Sequence, residues 1–205
     1  MLLPVAMAAG QTTEERLVRE LAEVAAESDR RAAAFMRGIL PRQAALKLNE
    51  LTTPENLASR NGRDAIRSAY RSFGAIIDDI ESFSRGEERW VEKALVAATL
   101  GVSPDMAAEA QRGFARGYAR TSARHATLRA AQRESIKKTF ELLDVIDRAP
   151  GGLHISNGRL SFADMETGMR VSHLIAELGR LELEEQKAEQ EIESRRAPVQ
   201  LAPLR

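Results

Sequence analysis

Five apolar residues, Ile66, Tyr70, Phe73, Ile77 and Ile80, recur at alternating steps of four and three. That spacing lays them along one stripe of a helix and is incompatible with the two-residue period of a strand. A stripe of this kind also prescribes its neighbour, a second helix lying nearly parallel with interdigitating side chains. A chain organised around it folds as packed helices. Composition agrees: 43% of the 205 residues are hydrophobic, only 4% are aromatic and 29% are charged. Abundant Ala, Leu, Glu and Arg with few β-branched residues belong to long helices. The length is sufficient to bury a sizeable core.

Start and stop signals cut the chain into four principal helices. Thr12 and Glu15 form a capping box ahead of Leu17, Leu21, Val24, Phe35 and Ile39, a seam interrupted by Ser28 and Arg31. Gly38 and Pro41 are expected to kink or end this first helix before a shorter continuation over 44–51. Residues 51–64 read as a connector, with Thr53 as cap, Pro54 at a first helical position and Asn61-Gly62 as a turn. The second helix carries the stripe, and Ser84 and Glu87 around Gly86 mark a restart that takes Trp90, Val91 and Leu95 onward. In "GVSPD", residues 101–105, Gly101 ends one helix, Ser103 caps the next and Pro104 takes its first position. The third helix then runs to about Arg148 and breaks at Pro150-Gly151-Gly152.

Beyond that break, Asn157-Gly158 between two short alternating runs is a strong hairpin signal, and the hairpin must lean on helices to be stable. The fourth helix starts near Ser161 and Asp164 and includes Val171, Leu174, Leu178 and Leu181. The expected fold is all-α: an elongated bundle of about four long helices with coiled-coil-like stretches and one small β-hairpin near 153–162. Its parts are an apolar N-terminal segment (1–11), the helical bundle (12–150), a hairpin connector (151–163), an acidic C-terminal helix (164–196) and a flexible tail (197–205).

Charge is balanced overall, thirty basic against thirty acidic residues, so no global attraction to polyanions is expected. Locally it is segregated. Residues 111–133 hold six arginines, Arg112, Arg116, Arg120, Arg124, Arg129 and Arg133, and no acid. At about 100° per residue, Phe114, Tyr118, His125, Leu128, Ile136, Leu143 and Ile146 share one face of the helix. Most of the arginines lie away from it, with Arg129 at its border. Residues 177–193 answer with seven acids against two bases. Two oppositely charged helices, in one bundle or across an oligomer, account for both runs without an outside ligand. The other reading of the six arginines is a polyanion-binding face, whose phosphate contacts would be strongly salt-dependent. Gly113 and Gly117, with Ala115, Ala119 and Ala123, would let a neighbouring helix approach closely.

The run "VAATLGVSPDMAAEAQRG" resembles a helix-turn-helix at Ala97, Gly101 and Val102. A recognition helix beginning at Ser103 would, however, present Asp105 and Glu109 to the groove. Catalytic, cofactor and metal motifs are missing from the sequence. There is no cysteine, which removes disulfides, thiolate catalysis and thiolate metal sites. His125 reads as a core residue, His154 falls in the hairpin, and His173 precedes Glu177 by one turn. There is no pair of Glu-x-x-His motifs and no His-Glu-x-x-His. Asp78, Asp79 and Glu81 read as solvated carboxylates beside buried isoleucines. Gly152 to Gly158 lacks the spacing of a phosphate loop, and there is no Gly-x-Ser-x-Gly.

No segment approaches the roughly 20 apolar residues of a transmembrane helix. Residues 2–9 are apolar, and Ala6-Met7-Ala8 fits a signal-peptide cleavage site without the basic start. This reads as the tail of a signal peptide that begins upstream, giving a periplasmic or secreted location. A frayed N-terminus in a cytoplasmic protein is the alternative. The function expected is that of a non-enzymatic structural or interaction protein in a bacterial envelope or secretion-type assembly, with a protein partner or a homo-oligomer contacted through helical faces. The alternative is a cytosolic nucleic-acid-binding helical protein using residues 112–133.

Overall fold

A computed structural model describes residues 12–149, 152–156 and 159–194. The N-terminal signal-like segment, Pro150-Gly151, the Asn157-Gly158 turn and the C-terminal tail lie outside these residues. The described chain is all-α apart from one hairpin. Its elements are α1 (Thr13–Ala45), α2 (Leu48–Leu51), α3 (Pro54–Ala58), α4 (Arg60–Ala98), α5 (Pro104–Asp147), β1 (Leu153–Ser156), β2 (Arg159–Phe162) and α6 (Met165–Glu193). Four of the six helices are long, as the periodicity requires.

The capping signals act as read. Thr12 and Glu15 exchange backbone-to-side-chain bonds of 3.0 and 3.2 Å. Thr53 accepts from the Asn56 N–H with Pro54 at the first position of α3. Gly101, at φ 77°, turns the chain out of α4, and Ser103 accepts from the Met106 N–H at 3.3 Å. Asp164 caps α6, accepting from both the N–H and the hydroxyl of Thr167.

Pro41 lies inside α1, which does not end there but runs to Ala45; Lys47 then adopts a left-handed φ of 47° and the shorter helix follows at Leu48–Leu51. Two punctuation signals fail. Asn61-Gly62 is no turn but the first turn of α4. Ser59 accepts from the Gly62 N–H at 3.0 Å, and Gly62 is there because a β-carbon would sit 2.3 Å from the Asn56 carbonyl oxygen. Ser84 and Glu87 do not restart a helix either; α4 passes through them unbroken.

The chain forms two compact units, the first from residues up to 40 with 79–117 and the second from 41–78 with 118 onward. In the first, α1 and the later part of α4 run antiparallel. Arg16 donates to the Leu100 carbonyl, Arg31 pairs with Glu87, and Phe35 stacks on Phe83 with centroids 4.2 Å apart. Leu17, Ile39, Val91, Leu95 and Ala98 are buried there. Glu87, the next seam position after Ser84, is only 5% exposed. Its partner Arg31 also covers the Trp90 ring at 4.6 Å. The polar interruption of the first seam therefore answers a polar residue in the second, as burying a carboxylate requires.

In the second unit, Leu57, Ile66, Leu142, Leu143, Ile146, Val171 and Leu174 form the core cluster. The start of α4 runs antiparallel to the end of α5, tied by Arg63 and Arg67 to Asp147, Arg67 to Asp144, and Arg133 to Asp78. The end of α5 in turn runs antiparallel to α6. The hairpin pairs Ser156 with Arg159 and Leu153 with Phe162, the antiparallel pair expected around Asn157-Gly158. Leu153, Leu160 and Phe162 pack on the core cluster, which supplies the support a lone hairpin lacks.

Candidate functional site

The arginine run begins where burial is thin. No residue of α5 between 112 and 131 is buried, whereas Gln132, Thr139, Leu142, Leu143 and Ile146 are. Arg112 and Arg116, in the first unit, are exposed. In the second unit Arg120 is exposed, and Arg124 and Arg129 are half-buried. None of these five makes an ion pair among the described residues. Arg133 differs: it donates to Asp78 at 2.7 Å, so Asp78 is a partnered carboxylate and not merely a solvated one. Ala119 and Ala123 are exposed beside Arg120 and Arg124, and a β-carbon added at Gly113 or Gly117 would meet open space.

Among the described residues, the α6 side chains that meet α5 in the second unit do so elsewhere: Glu141 meets Arg170 at 3.4 Å, Lys138 meets Glu177 at 3.0 Å, and the Ser135 hydroxyl donates to Glu185 at 2.5 Å.

On α6, Val171, Leu174 and Leu181 are buried. Half a turn away, Met165, Met169 and Leu183 are 78%, 60% and 57% exposed, with Ala176 between them on the same stripe. The helix is thus apolar on two opposite faces and covered on one. Its acids divide likewise. The hydrogen bond from Lys138 holds the Glu177 carboxyl below the usual range, against a smaller effect of burial. Burial pushes the Glu185 carboxyl up, the bond from Ser135 only partly offsetting it, with Glu189 and Glu182 adding repulsion. Glu184 pairs with Arg180, while Glu182, Glu189, Glu191 and Glu193 make no ion pair among the described residues.

The histidines are dispersed. His125 is half-buried on α5 and His154 is exposed on β1. His173 stands 3.7 Å from Glu177 with its side chain 73% exposed. No group of three or more His, Cys, Asp or Glu side chains is placed to hold a metal among the described residues. An open cleft of about 580 Å³ in the second unit is lined by Lys137, Arg148 and Arg170 together with Glu141, Asp144 and Glu166. Of its charges, Glu141 pairs with Arg170 and Asp144 with Arg67 of α4. At the start of α5, Asp105 and Glu109 are exposed, an acidic surface opposed to DNA phosphates. No described helix is long and apolar enough to cross a membrane.

Sequence reasoning missed the buried Glu87 and the outer apolar stripe of α6. The first had a signal: Ile77, Ile80, Ser84 and Glu87 continue the same four-three spacing, so Glu87 stands on the seam. The second also had one, since Met165, Met169, Ala176 and Leu183 share a helical face.

No family model matches the chain, and neither a curated protein nor a solved structure does so.

Proposed function

We propose that this is a non-enzymatic structural and interaction protein that associates with itself or docks on a protein partner through helical faces. The observation that carries the reading is α6, apolar on two opposite faces with only one covered. Exposed large apolar side chains are ordinary singly, but aligned along one helix they mark a contact surface. The experiment is native mass by light scattering on a sizing column. The wild type is expected as a discrete oligomer, and Met165→Glu with Met169→Glu and Leu183→Glu as a smaller species. A wild type that stays monomeric up to high micromolar concentration, alone and in an extract of its native cells, would sink the reading.

The setting proposed is a bacterial envelope or secretion-type assembly in the periplasm. Its support is the sequence Ala6-Met7-Ala8, outside the described residues. Fractionation with N-terminal sequencing decides it: the expected mature protein starts between residues 8 and 11 and lies outside the cytoplasm.

A second reading, a cytoplasmic nucleic-acid-binding protein, is favoured by one observation, that Arg112, Arg116, Arg120, Arg124 and Arg129 have no acidic partner among the described residues. It requires duplex or single-strand binding that weakens steeply with salt. Arg116→Gln, Arg120→Gln and Arg124→Gln together should abolish that binding, and an unchanged affinity rules the reading out.

A further inference from the structure

We infer that the outward face of α5 around Arg120 and Arg124 is the docking surface for the acidic end of α6 from a second copy of this chain. The inference rests on the interaction reading above and names its partner and both faces.

Complementary charge is the first argument. Within one chain, Arg120 and Arg124 stand one helical turn apart without an acidic partner among the described residues. Like charges at that spacing repel by about 0.2–0.5 kcal/mol per pair. Glu182, Glu189, Glu191 and Glu193 are likewise without a cation, and Glu182 and Glu189 further disfavour the ionised Glu185 between them. Each surface carries the charge that the other lacks.

Intramolecular register is the second argument. Among the described residues, the contacts between α5 and α6 fall at Glu141, Lys138 and Ser135, so within one chain Arg120 and Arg124 and the last glutamates of α6 are left unpaired. A second copy can bring the two together.

The shape of the face is the third. Ala119 and Ala123 are exposed between and beside the arginines, leaving a shallow surface that admits a helix closely. Leu183, 57% exposed, stands among the unpaired glutamates of α6 and supplies the apolar contact such a groove accepts.

Net charge selects the occupant. The chain as a whole is neutral, so a nucleic acid meets no long-range attraction and meets the protein's own acids as competitors. A second copy brings a matching local charge at no such disadvantage. The two faces differ, so the contact is head-to-tail, and it generates a ring or a growing chain of subunits.

A charge swap tests this. One variant carries Arg120→Glu and Arg124→Glu, and the other Glu182→Lys, Glu189→Lys and Glu191→Lys. Native mass is read by sedimentation for each alone and for their equimolar mixture, with circular dichroism confirming helicity. The wild type is expected to associate at about 0.1 M salt and to weaken at least about tenfold by 1 M, as the screening length falls from about 10 Å to 3 Å. Each variant alone should be smaller, and the mixture should regain the wild-type mass because one contact then forms with reversed sign and the alternate one forms as in the wild type. Variants that assemble as the wild type does would overturn the inference while leaving the interaction reading intact, to be located by the Met165, Met169 and Leu183 substitutions. A monomeric wild type that binds a short DNA duplex through Arg120 and Arg124 would overturn it in favour of the nucleic-acid reading. A monomeric wild type that binds neither would overturn it outright.

Discussion

Helix α5 holds two stretches of unlike character. From Arg133 to Asp147 every charged side chain has an opposite partner: Arg133 with Asp78, Glu134 with Lys137, Lys138 with Glu177, Glu141 with Arg170, and Asp144 and Asp147 with Arg67. Leu142, Leu143 and Ile146 are buried between those pairs. From 112 to 131 nothing is buried, and five arginines lack acidic partners among the described residues. One helix, with no proline or break between the two stretches, is thus built for stability at one end and left uncommitted at the other. Secondary structure alone does not create a core; the flanking helices do.

The largest expected effect tests that contrast directly. Leu143 is 0% exposed, so Leu143→Ala should cost about 2–5 kcal/mol in urea unfolding. Leu128, half-buried in the thin stretch, should cost about 1 kcal/mol as Leu128→Ala. Equal losses would mean that the two stretches are packed alike.

The ion pairs give the next effect. Burial raises the Asp147 carboxyl, but hydrogen bonds from Arg67 and Arg63 lower it by more, leaving it below the usual value. Its contribution is present above the unfolded value of about 3.9 and is lost as pH falls through the folded one. Asp147 is 36% exposed on its side chain, so solvent screening limits the gain. Asp147→Asn should cost about 1 kcal/mol or less at pH 7, and the cost should shrink as pH falls below about 3.9, measured by thermal unfolding across that range.

Glu185 has the opposite sign. Its folded value is raised, chiefly by burial, so as pH rises through the unfolded value the unfolded chain ionises first and stability falls. Glu185→Gln keeps an acceptor for Ser135 and removes that loss. It should stabilise the protein by a few tenths of a kcal/mol at pH 7 and by nothing below the unfolded value near 4.3. A loss at both pH values would show that the charge itself is needed.

The smallest effect belongs to the arginines. Arg120→Gln with Arg124→Gln should shift stability by no more than about 0.5 kcal/mol in either direction. A larger loss would show that these side chains hold the monomer together, and that the face is not reserved for a partner.

Local signals were legible wherever one short stretch carried the whole cause. The capping box at Thr12 and the stop and start at Gly101, Ser103 and Pro104 are settled by backbone donors and φ preferences within a few residues. Legibility failed at Gly62, whose glycine serves a close approach to Asn56 rather than a turn. It failed at Glu87, whose place on the seam makes sense only beside Arg31. In each case the deciding atom belongs to another element or another turn.

The candidate surface divides in the same way. Both charged runs were visible in the sequence, because a run of arginines on one side of a helix is a matter of composition and a 100° period. Whether they meet was not visible. Periodicity by itself determined that this chain is helical, which faces are apolar and which carry charge. Only the tertiary structure decided which faces are covered. Ser135 with Glu185, Lys138 with Glu177 and Glu141 with Arg170 join side chains far apart in sequence, which no local period specifies.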